Sequence, residues 1–350
     1  MKTEIVTITE LNNDAKEKLR KAASVLSLGG LVVMPTETVY GLGGDATSDD
    51  AAKKIYEAKG RPSNNPLIIH IADPREAEDY CHTSPLYYKL AQAFMPGPLT
   101  VILPRKDTVP ASVTGGLDTV AVRCPDHPVA NALIRVFGKP IAAPSANISG
   151  RPSPTCAKYV IEDLDGRVNM IIDGGQCEIG LESTIVKIDG DTLTLLRPGA
   201  VTYDALTMVC ETVKIADAVT DKLKEGETVL SPGMMYRHYA PKTPVILIDG
   251  AEHRVIDYLL RERKRRNGNC AVICYDGEEK LLGEEKVIPI GAKNDLVSHG
   301  KNIFNALREA DTFGAQVIYA HMPCKDGLGL ALYNRLIRAA EHTVLYITGE

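Results

Sequence analysis

No apolar stretch in this 350-residue chain reaches the ~18 residues that a bilayer-spanning helix needs. The opening segment "MKTEIVTITE" is acidic and alternating, which fits neither a signal peptide nor a transit peptide. Together these absences lead to the expectation of a cytoplasmic protein without a membrane partner. Paired cysteines are missing as well. The eight cysteines are scattered, with no C-x-x-C, so buried free thiols in a reducing compartment are expected rather than a disulfide framework or a zinc site. In "CAVIC", the alternation of a strand puts Cys270 and Cys274 on one face. Nor is there an excess of positive charge. A net charge of −5 argues against a protein whose main task is to neutralise nucleic-acid phosphates. The one basic cluster, "RERKRR" at 261–266, continues an apparent helix, and cations are favoured at that pole of the macrodipole. The chain also lacks a Walker loop, H-E-x-x-H, a Ser-His-Asp signature, a carboxylate cluster able to cage a metal, internal repeats and low-complexity segments.

What the chain does have is an ordinary globular composition, 44% apolar and 24% charged, over a length that favours two domains. The first 210 or so residues alternate short apolar strands with amphipathic helices. "LVVMP", "PLIIHI", "LTVIL", "TVAVR", "PIAAP", "NMIID", "STIVKI" and "TLTLL" read as strands. Ser48 and Gly60 punctuate one helix, Ser84 with Pro85 and "MPGP" a second, and Pro128 and Gly138 a third. The last two strands look hairpin-connected, which predicts a mixed sheet. From Thr243 the pattern restarts as strands and helices spaced for a small doubly wound parallel sheet. The expected boundaries are residues 1–212, a connector at 213–243, and residues 244–350. That connector contains "SPGMMYRHYAP", which begins and ends with proline-containing turns yet carries Tyr236, Arg237, His238 and Tyr239 in a row.

Polar chemistry gathers where the strands and helices of the first domain end. In "PTETVYGLGGDA", Thr36 and Thr38 are followed by Gly41, Gly43 and Gly44, whose lack of a Cβ would let a ligand approach a turn. "KGRPSNNPLIIH" places Lys59 and Arg61 at a helix end, close to Asn65 and His70, although a helix end attracts cations in any case. Arg123 ends an apolar strand, a poor place for a charge that does not meet a carboxylate or a phosphate. Ser145 and Asn147 directly follow a strand, Ser183 opens one, and Arg197 closes another. Lys59, Arg61, Arg123 and Arg197 could together neutralise a polyphosphate. The hydroxyls and amides could hold a small polar co-substrate. From the residues alone, the expectation is an enzyme that binds a phosphorylated small molecule in a polar cleft of the first domain.

These segments carry a resemblance. "PTETVYGLG", "KGRP" with "NPLIIHI", "PGPLTVIL", "VAVRCP", "APSANISG", "ESTIV" and "LRPG" occur in the order and approximate spacing of YrdC-like domains. "SPGMMYRHYAP" followed by a second α/β domain resembles the long form of the threonylcarbamoyl-AMP synthase family. The resemblance implies a YrdC-like twisted mixed-sheet domain with a concave cleft, plus a smaller Rossmann-like doubly wound domain. It implies ATP-dependent joining of L-threonine and bicarbonate into threonylcarbamoyl-AMP with release of pyrophosphate. A downstream tRNA threonylcarbamoyl transferase would then act on adenosine 37 of tRNAs that read codons beginning with A. Carried over motif by motif, Thr38, His70, Arg123 and Ser183 should hold threonine. Lys59, Arg61, Asn65, Thr119, Ser145, Asn147, Ser153, Arg197 and Tyr236 should hold ATP, with Lys59 and Arg61 catalytic. Magnesium would arrive on the nucleotide and not in a protein-built site. A weak tRNA contact is compatible with this reading. Two alternatives are an RNA-binding module and carbamoyl transfer from carbamoyl phosphate; acidic charge weighs against the first and missing zinc-finger cysteine pairs against the second.

Overall fold

The computed structural model describes residues 2–219 and 239–347, so Tyr236, Arg237 and His238 of the connector lie outside the described residues. Two compact units result, one from residues 2–149 and 153–219, the other from 150–152 and 239–347.

The first unit opens with two elements that the strand-and-helix pattern above did not assign, β1 (Glu4–Thr7) and α1 (Asn13–Ser27). Asn12 caps α1 by accepting from the Ala15 amide. Leu19, Ala22, Ala23 and Leu26 make the buried stripe of α1. They belong to one apolar cluster with Val129 and Leu133 and with Val32, Met34, Met170 and Ile172 of the sheet. The chain then runs β2 (Val32–Met34), β3 (Gly41–Asp45), α2 (Asp49–Lys59), β4 (Ile68–His70), α3 (Pro85–Phe94), β5 (Leu99–Pro104), β6 (Thr119–Arg123) and α4 (Pro128–Phe137). It continues through β7 (Ile141–Ala142), α5 (Ala157–Leu164), β8 (Met170–Asp173), β9 (Thr184–Asp189), β10 (Thr192–Arg197), α6 (Tyr203–Thr207) and β11 (Thr212–Ile215). Ser48, Gly60, Ser84, Pro85, Pro128 and Gly138 stand at the helix ends the sequence assigned to them. The eleven strands form one mixed twisted sheet in the order β1-β8-β2-β3-β7-β4-β6-β5-β9-β10-β11. Strands β9 and β10 pair antiparallel, as expected, and β11 adds to β10, starting at the last residue of the expected first domain and running into the stretch read as connector.

One expectation fails. Gly41, Gly43 and Gly44 are not a ligand-facing turn; they form buried strand β3, antiparallel to β2. A Cβ on Gly43 would stand 2.8 Å from Ile141 Cγ2 and 2.9 Å from the Val32 carbonyl oxygen, and one on Gly44 3.1 Å from Ile55 Cδ1. Packing against neighbouring strands and α2 therefore requires these glycines.

The second unit runs β12 (Val245–Gly250), α7 (Glu252–Arg265), β13 (Ala271–Cys274), α8 (Glu279–Leu282), β14 (Val287–Pro289), α9 (Leu296–Thr312), β15 (Ile318–His321), α10 (Leu328–Ala339) and β16 (Val344–Ile347). Its five strands are all parallel, in the order β14-β13-β15-β12-β16. Cys270, Val272 and Cys274 share one buried cluster, so both thiols lie on the same strand face. The basic end of α7 is anchored by a buried carboxylate: Glu262 accepts from Arg265, Arg266 and the Tyr319 hydroxyl, which hold its pKa down to about 2. Tyr239 is buried in this unit, stacked on Phe304 at 5.3 Å with the Arg335 guanidinium over its ring at 5.5 Å. No helix among the described residues is long and apolar enough to cross a membrane.

Candidate active site

Strand register brings half of the candidate site together. In the first unit, β4 pairs parallel with β6 and β6 antiparallel with β5, so His70 lies beside Arg123 and Arg123 beside Thr100. Alternation puts these three side chains on one sheet face, in a polar rung next to the apolar rung of Ile68, Ala121 and Ile102. Thr100 Oγ1 then meets Ser183 Oγ at 2.7 Å, and Arg197 donates to the Ser183 hydroxyl at 3.1 Å and to its carbonyl at 3.0 Å. Thus Arg197 joins Ser183 in this conformation.

Arg123 does meet a carboxylate. Its guanidinium donates to Glu37 Oε1 at 2.5 Å, with both side chains about 95% buried (5% and 6% exposed), and its Nε faces the Gly97 carbonyl at 3.4 Å. Glu37 sits between Thr36 and Thr38, whose hydroxyls are 2.9 Å apart, and both are buried. The Glu37 carbonyl accepts from the Ile179 amide, tying this loop to the segment leading into β9. The second Glu37 oxygen, Oε2, has no hydrogen-bond partner among the described residues. His70 is buried, its Nδ1 is also unpartnered, and burial first and the Arg123 charge second push its pKa down to about 3. The ring is therefore neutral at pH 7 and can serve as a hydrogen-bonding group but not as a cation.

A second group assembles around the C-terminus of α2. Lys59 is buried, and its Nζ donates to the Ser145 carbonyl, to the Asn147 carbonyl at 2.6 Å and to Asn147 Oδ1 at 3.5 Å. In this conformation Lys59 organises the loop that follows β7. Arg61 donates to Asn65 Oδ1 at 2.5 Å and to the Pro66 carbonyl at 3.1 Å. The structure therefore brings Lys59, Ser145 and Asn147 together, and Arg61 with Asn65. Thr119 begins β6, four residues and about 13 Å of strand from Arg123. At that end the Leu67 amide donates to the Val113 carbonyl, so the segment after Asn65 packs on the segment before β6. Ser153 donates to Glu182 Oε1 at 2.5 Å, one residue from Ser183, and so belongs with the first group.

Three participants were missed from the sequence: Glu37, Glu182 and Thr100. Each stood next to or in line with a residue that was singled out, but the partners lie 86, 29 and 83 positions away along the chain. Among the described residues no group of three or more His, Cys, Asp or Glu is placed to hold a metal ion. What the geometry offers is two polar groups within one unit, one rich in fixed cations and amides, the other a hydroxyl-lined rung with a neutral histidine and a compensated arginine.

Comparison with known proteins covers the whole chain. A family model described as "Telomere recombination" matches residues 24–199, and one described as "Threonylcarbamoyl-AMP synthase, C-terminal domain" matches residues 201–341. The threonylcarbamoyl-AMP synthase of Bacillus subtilis is 42% identical over 349 residues, 99% of this chain and 100% of the relative. That of Pyrococcus abyssi is 43% identical over 337 residues, 94% of this chain and 96% of the relative. The crystal structure of P. abyssi Sua5 complexed with L-threonine superposes with a TM-score of 0.90 at 42% identity, covering 99% of this chain and 100% of that one.

Proposed function

The chain belongs to the threonylcarbamoyl-AMP synthase family, and from that premise we propose that it joins L-threonine, CO2 from bicarbonate, and ATP into threonylcarbamoyl-AMP, releasing pyrophosphate. It is an enzyme of the nucleotidyltransferase type. The product would feed N6-threonylcarbamoyladenosine formation at position 37 of tRNAs reading codons that begin with A. The observation that carries this reading is that one unit holds both a hydroxyl-lined rung around His70, Arg123, Thr100 and Ser183 and the buried cations Lys59 and Arg61. The L-threonine complex of the P. abyssi relative supports L-threonine as the amino-acid substrate.

In the proposed reaction the threonine amine attacks CO2, a C–N bond forms and one amine proton is lost, leaving an N-carboxylate. A carboxylate oxygen then attacks the α-phosphorus of ATP, and the bond to the β-phosphate bridging oxygen breaks with its electron pair leaving on pyrophosphate. Negative charge grows on the phosphoryl oxygens, so guanidinium and ammonium groups fixed beforehand stabilise the transition state without reorganising. Arg61 meets that requirement through Asn65 and Pro66, and Lys59 holds the Ser145–Asn147 loop in position. On the threonine side, Thr38 and Ser183 supply hydroxyls, and the neutral ring of His70 can accept or donate a single hydrogen bond. Magnesium enters as part of the ATP substrate.

The test is pyrophosphate release by purified protein with ATP and Mg²⁺, with threonine and bicarbonate added singly and together. Release that requires both is the expected result. Release without either, or none under any combination, sinks the proposal.

A further inference from the structure

The second unit contains a cavity of about 320 Å³ that the proposed reaction does not use. Its position follows from topology. From β13 the chain turns toward β14 on one side of the sheet, whereas from β15 it turns the other way toward β16. Adjacent β13 and β15 thus flank a switch point, the place where loops diverge and open a crevice beyond the carboxyl ends of parallel strands. The cavity lies there: Ile273 of β13 and Ala320 of β15 line it, with Leu332 and Leu336 of α10. Its size is at the lower end of the range for small-molecule pockets.

One wall is built with unusual care for a mere gap. Tyr275, directly after β13, stacks between His321 at 4.5 Å and His299 at 5.1 Å, the planes within 17° and 21° of parallel, and all three rings line the cavity. The buried Glu278 holds two members of the stack, accepting from the Tyr275 amide at 3.0 Å and pairing with His321 Nε2 at 2.8 Å. His299 Nε2 lies 2.9 Å from the Ala292 carbonyl. A carbonyl and a carboxylate only accept, so both histidines carry a proton on Nε2. With a proton on Nε2 alone, each ring offers Nδ1 as an acceptor, and neither Nδ1 has a hydrogen-bond partner among the described residues. The Tyr275 hydroxyl has none either, and burial pushes its pKa up to about 12, so it stays protonated. Lys293, which also pairs with Glu252 at 2.5 Å, and Asn294 line the cavity as well.

Apolar walls, a ring stack presenting two acceptors and one hydroxyl, and a cation beside them define a complementary ligand: flat, largely apolar on its faces, carrying N–H donors on its edge. We propose that the second unit is a binding site for a purine nucleoside or its monophosphate, with the base edge against Tyr275, His299 and His321 and the sugar or phosphate toward Lys293 and Asn294. This site is separate from the polar groups of the first unit.

The chain offers its own reporter, because Met322 lines the cavity whereas Met34 ends β2 in the first unit. With full-length protein labelled at the methionine methyl groups, adenosine, AMP and inorganic phosphate are titrated separately and the Met322 and Met34 signals followed. The Met322 signal is expected to move saturably with adenosine or AMP, with half-saturation at or below about 1 mM, and not with phosphate alone. Tyr275→Phe, which keeps the stack and removes one hydroxyl, should weaken binding threefold or more. Leu332→Phe, which fills the cavity, should abolish it. A Met322 signal that ignores both nucleosides overturns the proposal. So does movement with phosphate alone, or movement that both variants leave unchanged.

Discussion

Replacing Glu37 with glutamine removes one charge from a buried ion pair and changes almost nothing else. Glu37 and Arg123 each expose about one-twentieth of their side chains, and the bond between them is 2.5 Å long. The Arg123 guanidinium would then keep a full charge in a site closed to water, with the Gly97 carbonyl, 3.4 Å away, as a much weaker acceptor. Breaking one side of such a pair costs about 3–5 kcal/mol, because the partner's desolvation is no longer offset. For a unit of roughly 200 residues, each kcal/mol moves the melting temperature by about 2–4 °C, so a drop of about 6–20 °C is expected. Differential scanning calorimetry of Glu37→Gln beside the wild type measures it, with the transition of the first unit read separately. Removing the orphaned charge as well, in Glu37→Gln/Arg123→Gln, should recover part of the loss, and the double-mutant cycle isolates the pair. A shift below about 2 °C, or strictly additive single losses, would refute the reasoning, since the pair could then not be dry.

His70 gives a pH dependence with a definite sign. Its folded pKa of about 3 lies below the unfolded value near 6.5, so stability is fully present above about pH 6.5 and falls as pH drops toward 3. His70→Gln should therefore lose up to about 1.4 kcal/mol per pH unit of the wild-type slope between pH 6 and 4 in urea titrations; identical slopes would show that His70 is solvated. Arg61→Ala should lower turnover by about 10² or more if Arg61 meets developing phosphate charge, and an effect under about threefold would reduce it to a helix-end cation. L-Valine should be rejected by several orders of magnitude and L-serine by only about 10- to 200-fold, as competing-substrate kinetics would reveal; equal use of valine would remove the hydroxyl-binding role of Thr38 and Ser183. Gly43→Ala should cost about 1–3 kcal/mol by overpacking against Ile141 and the Val32 carbonyl, with the KM for threonine and ATP unchanged. A selective rise in KM without loss of stability would restore the ligand-approach reading.

Local punctuation was legible in the chain. Ser48 and Gly60, Ser84 with Pro85, and Pro128 with Gly138 mark helix ends because capping and backbone preference act over a few residues. The restart of alternating strands and helices after Thr243 announced a small parallel sheet, though not its fifth strand β16, and the ordered motifs from Thr38 to Arg197 announced the family. Strand β3 was not legible: three glycines in five residues disfavour a strand by themselves, and only the closeness of Ile141, Val32 and α2 explains them. The pairing of Arg123 with Glu37, of Ser153 with Glu182 and of Ser183 with Thr100 belongs to the tertiary structure alone. So does the ring stack of Tyr275, His299 and His321. Sequence records which groups a strand can present to one face, since side chains alternate along it. Which group then stands opposite is decided by register between strands far apart in the chain, a choice made by burying both faces of the sheet at once.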